Sequence, residues 1–384
     1  MFLKKTIEWN SALVEAAIYL HQKGELLPDT YVIDTDTLFA NAARIRQTAG
    51  NNQVHLYFML KQLGRNPEIA RELLRLGYDG AVAVDFREAL WMIQNGIQLG
   101  HVGHLVQIPK ACLEQILSSK PEMVTVYSVE KAREINEVCK KLNLEQKIML
   151  RTVESGDVLY SGQYGGFSLK QLPDAAKEIR KMEHLRISGL TSFPCFLFNS
   201  QTGRIEPTQN VKTMCRAKEI LMDMGFEIEQ MNMPSVTCCA SIPEIHRLGG
   251  THGEPGHGLT GTTPLHAVAN CEEIPCLVYL TEVSHNWDKK AYCYGGGYYR
   301  RSHVRQALVG PLEKGKILGV IPPSAESIDY YFGLDGPAEV SESVVMAFRT
   351  QIFVTRSQVA LVSGISRGNP QVDGIYTPFG RRVS

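Results

Sequence analysis

The chain has 384 residues, of which 44% are hydrophobic and 21% are charged. This is the composition of an ordinary globular protein, with a length typical of one large domain or about two to three smaller ones. Forty basic residues balance forty acidic residues, which argues against nucleic acid as the main partner because phosphate binding favours a basic excess. No uninterrupted apolar run is long enough to cross a bilayer, and nine cysteines without metal-finger spacing favour reduced thiols in a cytoplasmic protein.

The N-terminal segment predicts an amphipathic helix. Apolar residues fall at helical spacing from Leu13 to Leu20, and Gly24 ends the pattern. We interpret residues 1–30 as a helical extension packed on the body of the protein.

Short β-rich runs then alternate with helix-like segments up to about residue 250. An N-cap, proline and acid at Asn66-Pro67-Glu68 predict the start of one helix, and a second helix is predicted over 129–142. Eight strands separated by helices indicate an α/β fold, a (β/α)₈ TIM barrel, over residues 31–270. The eight runs are Tyr31–Asp34, His55–Leu60, Gly80–Val84, Val102–Gln107, Met123–Tyr127, Ile148–Val153, Ile187–Phe193 and Glu229–Met233.

The alternation stops after Thr263. The remaining sequence is rich in β-branched runs and turn residues, which predicts a mainly β C-terminal domain over residues 271–384. Its predicted strands are Leu277–Val283, Lys290–Tyr294, Ile317–Ile321, Val345–Val354 and Gln358–Val362.

Lys61 directly follows the second β-run. The active site of a parallel barrel lies at the C-terminal ends of its strands, where a catalytic lysine would be placed. Apolar surroundings lower the pKa of a lysine, and the free amine can then attack an aldehyde. A solvated lysine at a strand end is the structural alternative, and position alone does not decide between them.

A glycine-rich segment from His252 to Thr263 is the second candidate. Its glycines allow a close approach of the backbone to a ligand, and its threonines add hydroxyl donors. These residues are Gly256, Gly258, Thr260, Gly261, Thr262 and Thr263. Such a loop at the last strands of a barrel is a usual phosphate cradle, whereas a flexible connection between two domains is the alternative.

Three motifs occur in order along the chain. Tyr-Val-Ile-Asp at 31–34, with Lys61 further on, resembles the N-terminal barrel of alanine racemase and its fold-type III relatives. Glu254-Pro-Gly-His-Gly-Leu-Thr-Gly261 resembles the Arg-Pro-Gly-x-Gly-Leu-Tyr-Gly segment of that enzyme, and shares its glutamate with the Glu-Pro-Gly-Arg segment of ornithine and diaminopimelate decarboxylases. Tyr294-Gly-Gly-Gly-Tyr-Tyr-Arg300 resembles Gly-Tyr-Ala-Asp-Gly-Tyr-x-Arg. The resemblance spans residues 31–376 and is strongest to the YhfX-type branch of the family.

The resemblance implies that pyridoxal 5′-phosphate (PLP) is the cofactor and that Lys61 holds it as a Schiff base. Glu254 would face the pyridine nitrogen, where a carboxylate keeps the ring protonated and strengthens it as an electron sink for a carbanion at Cα. Arg151 falls where relatives keep a basic residue near the cofactor hydroxyl. The phosphate would be bound by Gly256, Gly258, Thr260, Gly261 and Thr262, with contacts from Ser235 and Tyr376.

Tyr294 would be the second catalytic residue by the same resemblance. It would reach in from the β domain of the second subunit of a homodimer, as acid or base opposite Lys61. The chain departs from the patterns of these relatives at three places, one of which is the absence of the cysteine-containing acid motif of the decarboxylases. The histidine stacked on the ring is replaced by Ser192 or Phe193, and the aspartate after the catalytic tyrosine is replaced by Gly296.

We therefore predict a PLP-dependent enzyme acting at Cα of a small-molecule amino acid, with racemisation by Lys61 and Tyr294 as the first choice. Decarboxylation or another lyase reaction is the alternative, which Glu254 favours. A PLP-binding protein without turnover is an alternative of another class. A barrel enzyme that binds a phosphorylated substrate, with a structural Lys61, is a further one. We expect neither nucleic acid nor a membrane as partner.

The histidines of the chain do not predict a metal site. His101 and His104 lie three residues apart, and His252 and His257 flank the glycine-rich segment, but no carboxylate or cysteine has matching spacing. We interpret them as satisfied core residues or as neighbours of the cofactor.

Overall fold

The computed structural model describes residues 2–384. The helices are α1 Phe2–Trp9, α2 Ser11–Gln22, α3 Thr35–Asn51, α4 Pro67–Arg75, α5 Phe86–Gln94, α6 Leu113–Ser118, α7 Val129–Leu142, α8 Leu172–Arg180, α9 Gln209–Asp223 and α10 Ile242–Arg247. The strands are β1 Thr30–Asp34, β2 His55–Met59, β3 Gly80–Ala83, β4 Leu99–Val102, β5 Met123–Val126, β6 Gln146–Arg151, β7 Leu185–Thr191, β8 Phe196–Asn199, β9 Arg204–Pro207, β10 Gln230–Asn232, β11 His252–Gly253, β12 Leu277–Trp287, β13 Lys290–Tyr294, β14 Gln306–Val309, β15 Lys316–Ile321, β16 Tyr331–Leu334, β17 Ser343–Met346, β18 Gln358–Ser363 and β19 Gln371–Tyr376. Within residues 2–384, no helix combines the length and the apolar character needed to span a bilayer.

The chain forms two compact units, each built from separated stretches of sequence. Unit 1 contains the residues up to Arg44, Leu60–Asn66 and His257–Ser384, and unit 2 contains Ile45–Met59 and Pro67–Gly256. The division into an extension, a barrel and a β domain at residues 30 and 270 concerns domain limits along the chain and stays a prediction.

Unit 2 contains a closed barrel of eight parallel strands, in the order β2-β3-β4-β5-β6-β7-β10-β11. The barrel closes where β11 pairs with β2, with His252 opposite His55. The predicted barrel is therefore confirmed, but one of its strands was wrongly assigned, and the predicted run Val102–Gln107 shares only Val102 with β4. The run Tyr31–Asp34 is not a barrel strand, and the eighth strand is β11, which has only two residues and lies in the segment interpreted as a loop.

Helix α7 of the barrel begins and ends where its local sequence directs. Helix α7 starts after Ser128, whose side chain accepts a hydrogen bond from the Lys131 N–H, and ends at Asn143 in the left-handed conformation. Ile135 and Cys139 lie on its buried face. The predicted helix over 129–142 is thus confirmed, as is the helix that starts at Pro67.

Unit 1 contains a sheet of nine strands, in the order β13-β16-β15-β14-β17-β12-β1-β18-β19. Strand β1 lies inside this sheet, antiparallel to β12 and parallel to β18, and all five of its residues are buried. Helix α2 contacts β12 and β17 and buries Leu13, Ala17 and Leu20, so the predicted N-terminal helix is confirmed. The run Val345–Val354 is only partly a strand, because β17 ends at Met346.

Candidate active site

Glu254 directly follows β11, at the C-terminal end of the barrel strands. Its backbone N–H donates to Oγ1 of Thr237 at 3.0 Å, which fixes the chain as it leaves the strand. The residue is 5% exposed. A carboxylate in this position is removed from water and must find its partners inside the barrel.

The two oxygens of Glu254 have different surroundings. Oε1 accepts hydrogen bonds from Nδ1 of His101 at 2.7 Å and from Nδ2 of Asn232 at 2.6 Å. Oε2 has no hydrogen-bond partner among residues 2–384, and Nε2 of His104 lies 4.0 Å from it. A buried carboxylate oxygen without a donor is costly, so Oε2 is an acceptor ready for a ligand.

Electrostatics keep Glu254 ionised. Burial by itself raises the pKa of this carboxyl group, but the adjacent His104, His101 and Asn232 outweigh that effect and lower the pKa from 4.5 to about 2. Glu254 is therefore a carboxylate throughout the physiological pH range.

Arg151, the last residue of β6, is fully buried. Its Nη1 donates to Oη of Tyr127 at 2.5 Å, and its Nη2 donates to the Gln163 carbonyl at 2.8 Å. Nε has no hydrogen-bond partner in the described part of the chain. This buried N–H can donate to an oxygen of a ligand, as the predicted contact with a cofactor hydroxyl requires.

The loop after β10 has a strained backbone at Ser235. Ser235 has a φ of +94° and Val236 a φ of +52°, two consecutive left-handed residues of which neither is glycine. Such conformations are concentrated at functional sites, because the surrounding structure must maintain them. Ser235 is partly exposed and so remains accessible to a ligand at the C-terminal end of the barrel.

Lys61 lies in unit 1, where it is partly exposed. Its carbonyl accepts a hydrogen bond from the Phe353 N–H at 3.3 Å. Close to it, His257 is held by hydrogen bonds to Gln62 and to the Thr350 carbonyl. Burial, followed by the charges of Arg349 and Lys61, lowers the pKa of His257 well below 6.5, so this histidine is neutral.

The glycine-rich segment forms a tight turn. The N–H groups of Gly261 and Thr262 donate to the carbonyls of Gly258 and His257, at 3.0 and 2.9 Å, and are therefore used inside the turn. The N–H groups of Gly258 and Thr260 lie at the start of the turn. Within residues 2–384 neither of them donates a hydrogen bond to a backbone carbonyl. A phosphate would be bound by these first N–H groups.

The threonine hydroxyls of the turn bond to each other. Oγ1 of Thr260 and Oγ1 of Thr262 lie 2.6 Å apart, and Thr260 also donates to the His257 carbonyl. Both side chains are buried. They stabilise the turn, and their predicted contact with phosphate stays a prediction.

Tyr294 is the last residue of β13 and is 37% exposed. Its carbonyl accepts a hydrogen bond from Oγ1 of Thr281 at 2.7 Å, so the backbone is anchored while the ring faces a cavity of about 510 Å³. This cavity is also lined by Asp29, Tyr330 and Arg356. The exposed phenol is free to contact a second molecule.

Tyr376, by contrast, is buried in β19, where it pairs with Val359. Its predicted role as a phosphate contact stays a prediction. Ser192 is also buried, donates to the Thr152 carbonyl and accepts from Asn210, so its hydroxyl is already used. Phe193 is the better candidate to stack on a ring, and its edge packs against His104.

The sequence did not single out Asn232, which donates to Glu254, or Thr125, which bonds to His101. Asn232 and Thr125 belong to short buried strands without a motif, and only barrel closure brings them to the site. The sequence indicates for His101 and His104 only that they are core residues or neighbours of the cofactor. Their spacing alone could not show that a glutamate lies between them.

The chemistry of these residues fits PLP. Glu254 offers one unpartnered buried acceptor, which suits a protonated ring nitrogen, and Arg151 offers one unpartnered buried donor, which suits the ring hydroxyl oxygen. Among the described residues, no cluster of three or more metal-ligating side chains is found.

Two protein families match the sequence. The family of the alanine racemase N-terminal domain matches residues 33–264, more than half of the chain. The chain belongs to the alanine racemase N-terminal domain family. The YhfX-like C-terminal domain family matches residues 278–372. The uncharacterized protein YhfX of Escherichia coli (strain K12) is 43% identical over 385 residues, with 100% of both chains covered.

Several solved structures share the fold. Alanine racemase from Clostridium difficile 630, in complex with cycloserine, is similar with a TM-score of 0.64 and 17% identity, over 92% of this chain and 99% of that one. D-threonine aldolase from Filomicrobium marinum gives a TM-score of 0.67 with 16% identity, over 92% and 95%. D-threo-3-hydroxyaspartate dehydratase from Delftia sp. HT23 gives 0.66 with 17% identity, over 90% and 97%. At this identity the likeness supports the fold alone.

Proposed function

We propose that this protein is a PLP-dependent enzyme that acts at Cα of an amino acid. Racemisation is the first choice among the candidate reactions. The unpartnered Oε2 of Glu254 is the observation that carries the proposal. An ionised, buried acceptor at the C-terminal end of the barrel suits a ring that must stay protonated. Membership of the alanine racemase N-terminal domain family supports the same cofactor.

When bound, PLP withdraws the electrons left on Cα after a bond to that carbon breaks. Glu254 would accept the ring N–H through Oε2, and its low pKa keeps the proton on the ring. Arg151 would donate from Nε to the ring hydroxyl oxygen, while its Nη atoms remain bonded to Tyr127 and Gln163. These two contacts would fix the ring at both edges.

The phosphate would be held by the start of the turn at Gly258 and by the hydroxyl of Ser235. Lys61 would hold the cofactor covalently, and its amine would take or return the Cα proton on one face. Tyr294 would do the same on the opposite face. Two groups on opposite faces are what inversion at Cα requires.

We further propose a homodimer in which each subunit contributes its Tyr294 to the site of the other. The exposure of Tyr294 supports this arrangement, because an acid–base residue must be covered when it works. A cytoplasmic location is part of the proposal as well. None of the nine cysteines forms a disulfide, as is usual in a reducing compartment.

A lyase reaction, such as decarboxylation, is the second candidate. The carboxylate of Glu254 favours it, because a protonated ring is the stronger sink and stabilises any carbanion at Cα. Solved structures with a similar fold include proteins named D-threonine aldolase and D-threo-3-hydroxyaspartate dehydratase.

The cofactor can be tested directly on the purified chain. We expect a yellow protein in which borohydride fixes the phosphopyridoxyl mass on the peptide that contains Lys61. The matched Lys61→Ala variant should lose the label, and Lys110→Ala, at the exposed rim of another loop, should keep it. A colourless protein that stays unlabelled with added PLP would overturn the proposal.

The reaction can be tested with a panel of L- and D-amino acids. Loss of optical rotation without release of CO₂ is expected for a racemase. Release of CO₂ or of a carbonyl product would show that the enzyme catalyses a lyase reaction and not racemisation. A labelled protein that converts no amino acid would contradict turnover and indicate a protein that only binds PLP.

A further inference from the structure

The carboxylate of Glu254 is held asymmetrically by the barrel. Its Oε1 receives two donors, whereas its Oε2 receives none among residues 2–384. One donor, His101, is itself fully buried and is fixed from behind by Oγ1 of Thr125, 2.5 Å from its Nε2. The histidine therefore has no freedom to turn away from the carboxylate.

We propose that His101 is a positioning residue, which together with Asn232 occupies Oε1 of Glu254 and thereby reserves the ionised Oε2 for the cofactor ring. The inference rests on the proposed function, in which Glu254 is the partner of the ring nitrogen.

The hydrogen bonds admit one assignment of protons. An ionised carboxylate only accepts, so Nδ1 of His101 must carry the proton that it shares with Oε1. Nδ2 of Asn232 lies 2.6 Å from Oε1 but 3.2 Å from Nδ1 of His101, and a protonated Nδ1 cannot accept from it. Both donors therefore converge on Oε1, which leaves Oε2 as the open acceptor of the carboxylate.

The charges around Glu254 act in the same direction. His101 and His104 come from β4 and the residues that follow it, and both favour the carboxylate. His252, on the strand that leads to Glu254, is held neutral because burial lowers its pKa to about 3. The thiol of Cys195 faces the same region, and burial raises its pKa, so it is neutral as well. His101 and His104 are thus the groups that balance the buried negative charge.

A purely structural role does not account for the pair. Barrel interiors are usually filled by branched apolar side chains, and a buried ion pair is often no more stable than an apolar replacement. His101 and Glu254 are separated by 153 positions and both lie almost fully out of water. The role of His101 is to keep the carboxylate of Glu254 ionised and to fix its direction.

The test follows the ionisation of Glu254 in the full chain, first without PLP. The carboxylate signal is isolated as the infrared or ¹³C-glutamate NMR difference between the wild type and Glu254→Gln. In the wild type this signal should persist to about pH 3. In His101→Leu the midpoint for protonation of Glu254 should rise above pH ~5, because the donor that offsets the effect of burial is gone. His101→Gln, whose amide can still donate to Oε1, should lie between them. His246→Gln removes an exposed histidine of α10 and should leave the midpoint unchanged.

A wild-type midpoint in both His101 variants would overturn the inference. If His101→Leu does not fold, Asn232→Leu removes the other donor to Oε1 and must raise the midpoint for the inference to stand. With ¹⁵N-labelled PLP added, the ring nitrogen signal should move towards the unprotonated position in His101→Leu, and an unmoved signal would count against it. A shifted midpoint in a protein that binds no PLP would defeat the proposed function alone. Labelling of Lys61 without any shifted midpoint would defeat this inference alone.

Discussion

Nη1 of Arg151 lies 2.5 Å from Oη of Tyr127, and the guanidinium carbon lies 4.8 Å from the centre of the same ring. The hydroxyl of Tyr127 in turn donates to the carbonyl of His104, beside Glu254. A chain of contacts thus joins the residue assigned to the cofactor hydroxyl with the residues around the carboxylate. The ring of Tyr127 fixes the plane of the guanidinium and so the direction of Nε.

Arg151→Lys should weaken the binding of PLP. Lysine keeps the charge, but it cannot bond to Tyr127 and Gln163 while it also points a third donor at a ligand. We expect the dissociation constant of PLP to rise about tenfold and the free energy of unfolding to fall by about 1–3 kcal/mol. Tyr127→Phe, which keeps the guanidinium, should have a smaller effect on both quantities. Unchanged binding in Arg151→Lys would remove this residue from the site.

Ser235→Gly should stabilise the fold of the protein and yet weaken the binding of PLP. Glycine adopts a φ of +94° without strain, so we expect the free energy of unfolding to increase by about 1 kcal/mol. Ser235→Ala keeps the strain and removes the same hydroxyl. Both variants should bind PLP less tightly, as followed by absorbance titration, while only the glycine variant is more stable in urea. Equal stability of the two variants would show that the backbone is not strained there.

The barrel could be predicted because some of its helices, such as α4 and α7, and most of its strands carry a local signal. Two assignments failed for a physical reason. Strand β1 is buried on both faces and pairs in parallel with β18, so its sequence reads like that of a barrel strand although it belongs to another sheet. Strand β11 has two residues, which is too short for any periodic pattern.

The sequence predicted the site residues that belong to motifs, but it did not predict the residues that hold them in place. Lys61 and Glu254 were found because the resemblance marks them, but the pairing of Glu254 with His101 joins positions 153 residues apart. Closure of the barrel, which brings β4 and β11 around one interior, creates this contact. No local pattern carries that information.

Tyr294→Phe should abolish racemisation without affecting the fold. The substitution removes only a hydroxyl, while the ring keeps its position 6.0 Å from that of Tyr331. We expect the free energy of unfolding to change by less than about 0.5 kcal/mol and racemisation to fall roughly 10²–10⁴-fold. Tyr331→Phe, the adjacent ring in the same cavity, serves as the matched control. A racemase that is unaffected by Tyr294→Phe would use another second base.

Gly261→Ala should destabilise the turn of the glycine-rich segment. Gly261 has a φ of +62°, and an added Cβ would lie 2.5 Å from the carbonyl of Ile274. Left-handed strain and this clash together should lower the free energy of unfolding by about 2–4 kcal/mol. Gly24→Ala is the control, since Gly24 has a φ of +74° and no atom within 4 Å of an added Cβ, so it should lose only about 1 kcal/mol. Equal losses of the free energy of unfolding in the two variants would mean that the backbone at Ile274 moves away and relieves the clash.

His252 should make the protein less stable in acid. Burial, followed by the charge of His55, lowers the pKa of His252 from 6.5 to about 3. The unfolded chain therefore takes up a proton below pH 6.5, whereas the folded chain does so only near pH 3. The stability contributed by His252 is complete above pH 6.5 and is lost as the pH falls towards 3.

Between pH 6.5 and 5 this loss amounts to about 2 kcal/mol for His252. His257, whose pKa is lowered in the same way, adds to it, while Glu254 acts only below its ordinary pKa of 4.5. Urea denaturation at intervals of pH should therefore show a slope that is smaller in His252→Gln, because glutamine does not titrate. A slope equal to that of the wild type would mean that water reaches His252 in the folded barrel and that its proton is taken up without unfolding.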